Sequence, residues 1–147
     1  MKFSTRIDKE VTAERMFDAM ADFDRIERML MRRGVSVNRV SNISAGARAW
    51  DLAFDWRGKR RELRLMLVQF DWPERLALTG QSTAFDLRID LSVVALALQR
   101  SRLIFEFEIK PRNMRARLAL QTAKLGKAQL DRKVAKKVME FVEDAIG

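Results

Sequence analysis

The chain opens on Phe3-Ser4-Thr5-Arg6-Ile7-Asp8, where apolar and polar residues alternate, and a period of two predicts a half-buried strand. The run Val11-Thr12-Ala13-Glu14-Arg15-Met16-Phe17 then reads as a helix start. Thr12 is the N-cap, Glu14 lies where a carboxylate favours the helix dipole, and Val11 and Met16 occupy the two positions of a hydrophobic staple. A second short helix is predicted from about Asp24, with Glu27 completing a capping box. Ile26, Met29 and Leu30 form its apolar stripe, and Gly34 ends it.

From Val35 to Ile109 the period returns to two, and the chain reads as a meander of strands. The clearest hairpin runs from Trp50 to Leu65 around Arg57-Gly58. With those two residues as the turn, Leu52 faces Leu63, Trp50 faces Leu65 and Arg48 faces Leu67, while Asp51, Asp55 and Glu62 fall on the opposite face. A shift of one residue would set Leu52 against Glu62, so the apolar pattern selects the register. Asp71-Trp72-Pro73-Glu74 makes a turn, and Leu76, Leu78, Phe85, Leu87 and Ile89 extend the apolar face. A last hairpin with a three-residue loop at Gln99-Arg100-Ser101 would pair Val93 with Phe107, Leu91 with Ile109 and Asp90 with Lys110. Pro111 closes the sheet region.

Residues 112 to 146 have helical period, with Leu118, Leu125, Leu130, Val134, Val138, Phe141 and Val142 as the main apolar positions. The stripe drifts near Gly126, where a bend is expected. The fold class is therefore α+β: about seven antiparallel strands around a long C-terminal helix, with two short helices after the first strand. Residues 1–147 are read as one domain, because the length suits one substantial core and no Ser/Gly/Pro-rich linker interrupts the pattern.

Composition then removes whole classes of chemistry. Cys, His and Tyr are absent, which excludes thiolate and imidazole metal ligands and Ser-His or Cys-His nucleophiles. No metal site and no cofactor are expected. The longest uncharged apolar run, Leu91 to Leu98, is too short to span a bilayer as a helix, and no signal peptide precedes the first strand, so a cytoplasmic protein is expected. The formal charge of +9 favours anionic partners in general. Its densest cluster is Arg57, Lys59, Arg60, Arg61 and Arg64 beside Trp56, and the final helix adds Lys124, Lys127, Arg132, Lys133, Lys136 and Lys137. No helix-turn-helix, zinc-finger or RNP-type motif accompanies them, so nucleic-acid binding is not expected. Weak contact with an anionic membrane surface stays open, as does the oligomeric state.

The order of strand, two short helices, meander and long terminal helix resembles the helix-grip fold of the START/Bet v 1-like (SRPBCC) superfamily, especially bacterial polyketide cyclase/dehydrase-like proteins. Ile7 through Phe17, with Glu14 and Phe17, looks like that family's entry, although Thr12 stands where many members have Pro. Ala21-Asp22 and Asp71-Trp72-Pro73-Glu74-Arg75-Leu76, similar to the family's "PERL"-like turn, add to the likeness. The resemblance implies an apolar cavity between sheet and terminal helix that binds a small hydrophobic molecule: a lipid, polyketide or quinone-like compound.

On that reading the expected ligand-binding residues are Arg48, Trp50, Phe54, Leu65, Leu67, Phe85, Leu87, Phe105 and Phe107 as wall and mouth, with Leu118 and Leu125 as lid. Two alternatives stand beside it: a cyclase/dehydratase-type enzyme acting on a polyketide-like substrate, and a basic interaction domain with a filled core. No catalytic residue is assigned, because the register puts Asp51, Asp55, Glu62, Asp86, Asp90, Glu106 and Glu108 on the outer face. Arg48, Gln69, Gln121 and Thr122 are the polar groups in question for the inner face, with edge or solvent positions expected for the last three.

Overall fold

The structure is a computed structural model that describes residues 1–41 and 47–146. Alternation in the first strand, β1 (Lys2–Lys9), buries Phe3 and Ile7 on one side and exposes Lys2, Ser4, Arg6 and Asp8 on the other. Helix α1 (Ala13–Met20) begins as its sequence dictates, with the Arg15 amide donating to Thr12 Oγ1 at 3.1 Å. Its buried face is Met16, Phe17 and Met20.

Helix α2 (Phe23–Arg32) is capped by Asp22, which accepts from the Arg25 amide at 3.2 Å, and not by the expected Asp24. The earlier start carries Phe23 inward onto Trp50, with ring centroids 5.1 Å apart. Asp24 is thereby released to join Glu27 in holding Arg39 of β2 (Ser36–Arg39). Gly34, at φ +88°, ends the helix as expected.

The meander comprises β3 (Ala49–Trp56), β4 (Lys59–Asp71), β5 (Arg75–Gln81), β6 (Phe85–Ala97) and β7 (Arg100–Pro111). With β1 and β2 they form one seven-stranded antiparallel sheet in the order β1-β7-β6-β5-β4-β3-β2. The β3–β4 register is the expected one: Leu52 opposes Leu63, Trp50 opposes Leu65, and the Leu67 amide donates to the Arg48 carbonyl. Arg57 and Gly58 both take positive φ, as a two-residue turn of primed type requires.

The β6–β7 register differs from expectation by four residues. Val93 opposes Leu103 and Leu91 opposes Phe105, while Lys110 faces Asp86 instead of Asp90. An irregularity between Ala95 and Ala97 absorbs one residue, so the turn is Leu98-Gln99. Because the displacement is even, the side chains from Phe85 to Ala95 keep their expected faces. A second irregularity between Leu67 and Gln69 in β4 switches parity there, so that Phe70, opposite Leu76, turns inward onto Phe17.

After Asn113, whose carboxamide caps the next helix, the terminal segment is two helices, α3 (Met114–Lys124) and α4 (Lys127–Ile146), broken at Leu125-Gly126. α3 lies against β7, and α4 against β1 and α1. No described helix is long and apolar enough to cross a membrane.

Candidate ligand-binding face

Rows of side chains cross the concave side of the sheet, and they change character from one end to the other. At one end Ile7, Leu103 and Val93 stand side by side in adjacent strands, next to Leu91 and Leu76. α1 and the end of α4 cover them, and Met16, Phe17, Leu76, Leu103 and Val142 are almost fully buried. Toward the other end come a row of Leu67, Leu78, Ile89 and Phe107, and then a row of Trp50, Leu65, Gly80, Leu87 and Ile109. In these rows Leu65, Leu67, Leu78, Leu87, Ile89 and Phe107 are each only half-buried, although they sit in the middle of the sheet.

Gly80 brings the side chains of this second region close together. A Cβ there would lie 3.0 Å from Leu65 Cδ2 and 3.2 Å from both Leu63 Cδ1 and Leu87 Cβ, so the missing side chain lets three leucines converge over bare backbone. The helix above contributes two small groups and one leucine: in α3 Ala116 is buried, and Leu120 and Ala123 are half-buried. Lys127, at the start of α4, lies over the Phe3 ring at 5.2 Å while its amine pairs with Asp131 at 2.9 Å.

The expected site residues fall into three groups. Leu65, Leu67, Leu87, Phe105 and Phe107, with Phe85 near the sheet's end, are brought together on the half-buried wall, and Phe54 lies further along the same face. Trp50 is buried against Phe23 and belongs to packed core. Leu118 and Leu125 form no lid: they are 56% and 89% exposed, because α3 turns its small stripe of Ala116 and Ala123 to the sheet and Leu125 stands in the helix break.

Arg48 is exposed at the rim, with its guanidinium 5.5 Å from the centroid of the Phe23 ring. It lines a cleft of about 430 Å³ shared with Asp22, Asp24, Glu27 and Arg39, distinct in composition from the leucine wall. Gln69 donates to Asp71 at 2.6 Å, and Gln121 and Thr122 are exposed.

Arg61 is hidden within the basic hairpin cluster of the sequence. It opposes Phe54, on the same side of β4 as Leu63, Leu65 and Leu67. Its Nε is buried without a hydrogen-bond partner among the described residues, and its guanidinium lies 5.5 Å from the Trp56 ring centroid. The strand parity that pairs Leu52 with Leu63 already implies this placement.

The convex side carries the carboxylates. Asp51 pairs with Arg64 at 2.8 Å, Asp8 with Arg102 at 2.7 Å and Asp90 with Arg88 at 3.0 Å. Hydrogen bonds from Arg102 and Arg64 hold the Asp8 and Asp51 carboxyls below the usual carboxylate range. These acids are neutralised structural partners facing away from the apolar wall.

No protein-family model and no curated protein matches the chain. Solved structures do. TTHA0849 from Thermus thermophilus superposes with a TM-score of 0.72 at 12% identity, over 99% of this chain and 97% of that one. Zhui aromatase/cyclase from Streptomyces sp. R1128 gives 0.71 at 12% identity, over 99% and 93%. A START superfamily protein from Mycobacterium smegmatis gives 0.56 at 15% identity, over 92% and 97%. Matches that span both chains at these identities establish architecture, and the chain has the helix-grip fold of the START/Bet v 1-like proteins.

Proposed function

We propose that this protein binds a small hydrophobic molecule, of lipid, polyketide or quinone-like character, against the half-buried leucine and phenylalanine wall of its concave face. One observation carries the reading: the sheet is closed by α1 and α4 at one end, while leucines at its centre remain in reach of solvent. A soluble domain rarely leaves a contiguous apolar patch open unless something occupies it. The same placement weighs against the basic interaction domain with a filled core. The outward carboxylates favour binding over a cyclase-type reaction, which needs an acid or base aimed at the substrate. Zhui's aromatase/cyclase activity is thus a property of a protein of like fold, and the reading for this chain stays with binding.

The test is titration with Nile red, a neutral apolar dye, followed by fluorescence. Saturable binding is expected in the wild type. Leu65→Trp, which projects an indole into the wall, should retain a cooperative melt and lose the dye. Failure of the wild type to bind the dye, or undiminished binding by Leu65→Trp, would refute the proposal.

A further inference from the structure

The half-buried wall is apolar throughout its leucine rows, yet one end of it carries a cation. On β4, Arg61, Leu63, Leu65 and Leu67 follow one another on a single face. At roughly 3.3 Å per residue they form a track on the order of 20 Å long. That is the dimension of an extended alkyl chain, with a guanidinium at one end.

The alternation that places Arg61 there also strips it of acidic neighbours. Asp51, Asp55 and Glu62 all point to the convex side, where Arg64 engages Asp51 and Arg60 approaches Glu62 at 4.0 Å. On Arg61's own face the other groups at the tip are Phe54, Trp56 and Lys59. Arg57 also lies over Trp56, 4.6 Å from the ring centroid. Among the described residues no carboxylate lies within salt-bridge distance of Arg61, and its buried Nε has no acceptor. A guanidinium cannot shed its proton, so a half-buried one with a bare N–H is missing an acceptor.

We infer that Arg61 is the head-group residue of the site, and that the ligand is a single-chain amphiphile whose alkyl part lies along Leu63, Leu65 and Leu67 and whose terminal carboxylate is taken by the Arg61 guanidinium. The inference rests on the reading of the concave face as a ligand site and adds the polarity and orientation of the occupant. A planar fork of donors matches a carboxylate in two parallel hydrogen bonds. Phe54, opposite Arg61 in the register, and the Trp56 ring lie beside that contact.

The experiment compares cis-parinaric acid with methyl cis-parinarate, which share a fluorescent chain and differ in the charged head. Wild-type protein should bind the acid at least tenfold more tightly than the ester. Arg61→Met should bind both at the ester's affinity, while Arg60→Met, one residue away on the convex side, should keep the preference. Retained ester binding certifies that Arg61→Met is folded. Should it lose the ester too, Arg61→Lys is read instead, and a reduced preference for the acid with ester binding intact is the expected result. Equal binding of acid and ester by the wild type, or an undiminished preference in Arg61→Met or Arg61→Lys, overturns the role of Arg61 while leaving the apolar site in place. Binding of neither probe overturns the site and the inference together.

Discussion

Leu76 and Leu65 offer a matched pair of truncations that reports on the two ends of the sheet. Leu76 on β5 is 1% exposed among Met16, Phe17 and Leu103. Leu65 on β4 is half-buried and faces Trp50 on one side and the bare backbone of Gly80 on the other. Leu76→Ala removes a side chain whose full burial is worth about 1.5–3 kcal/mol and leaves a hole that its neighbours cannot fill. The total should reach the upper part of the Leu→Ala range, about 3–5 kcal/mol. Leu65→Ala forfeits only part of the transfer term, and on the proposed reading the vacated space is continuous with the binding face, so no enclosed void adds to it. About 1–1.5 kcal/mol is expected there. The gap of about 2 kcal/mol or more corresponds to about 4–8 °C in Tm for a chain of this size. Urea unfolding followed by far-ultraviolet circular dichroism, extrapolated linearly to water, measures both variants on one scale. Equal destabilisation would show that the central wall is close-packed, and the argument for a binding face would fail with it.

Two further outcomes follow from the structure. The Asp8 carboxyl is held below its ordinary value by the hydrogen bond from Arg102, so it stabilises the folded state above about pH 4 and loses that contribution as pH falls through the depressed folded value. Asp8→Asn should therefore flatten the dependence of Tm on pH between about 2 and 5, and parallel curves for variant and wild type would show that the pair contributes nothing. At Gly126 a Cβ would come no nearer than 4.0 Å to the Ala123 carbonyl, so Gly126→Ala should raise stability by about 0.4–1 kcal/mol through the unfolded chain. A lowered Tm in differential scanning calorimetry would mean that the break between α3 and α4 depends on glycine.

How far the sequence carries depends on how sharply each segment alternates. Large apolar residues alternate from Trp50 to Trp56 and again from Leu63 to Leu67 around a turn that needs positive φ, and the register is legible to the residue. Leu91 to Leu98 is apolar or small at every position, so nothing in it distinguishes one even register from another, and the irregularity at Leu96 leaves no mark. The faces are legible where the pairings are not. In the terminal helices two stripes compete, one of leucines and one of alanines, and size alone favours the leucines as the inward set. The sheet accepts the stripe of Ala116, Leu120 and Ala123 beneath α3, which leaves Leu118 and Leu125 outside. Asp22 and Asp24 are equivalent caps by type, and only the pull of Phe23 toward Trp50 separates them. Arg61 is legible by parity and obscured by type, because a cation in a basic cluster is ordinarily a solvated one.

The uneven coverage of the sheet also shapes how such a chain can diverge. Residues that hold the closed end, such as Phe17, Leu76 and Val142, are tied to foldability, since truncation of any of them consumes a large share of a domain's small stability margin. Leu65, Leu67 and Leu87 are less deeply buried and can exchange one apolar shape for another at a smaller thermodynamic penalty. Drift is therefore channelled into the part of the molecule proposed to hold an occupant. On that proposal a lineage built this way would change cargo while keeping its architecture, and relatives would share the buried end in kind while their central rows differ, even where overall identity has fallen to the level of chance.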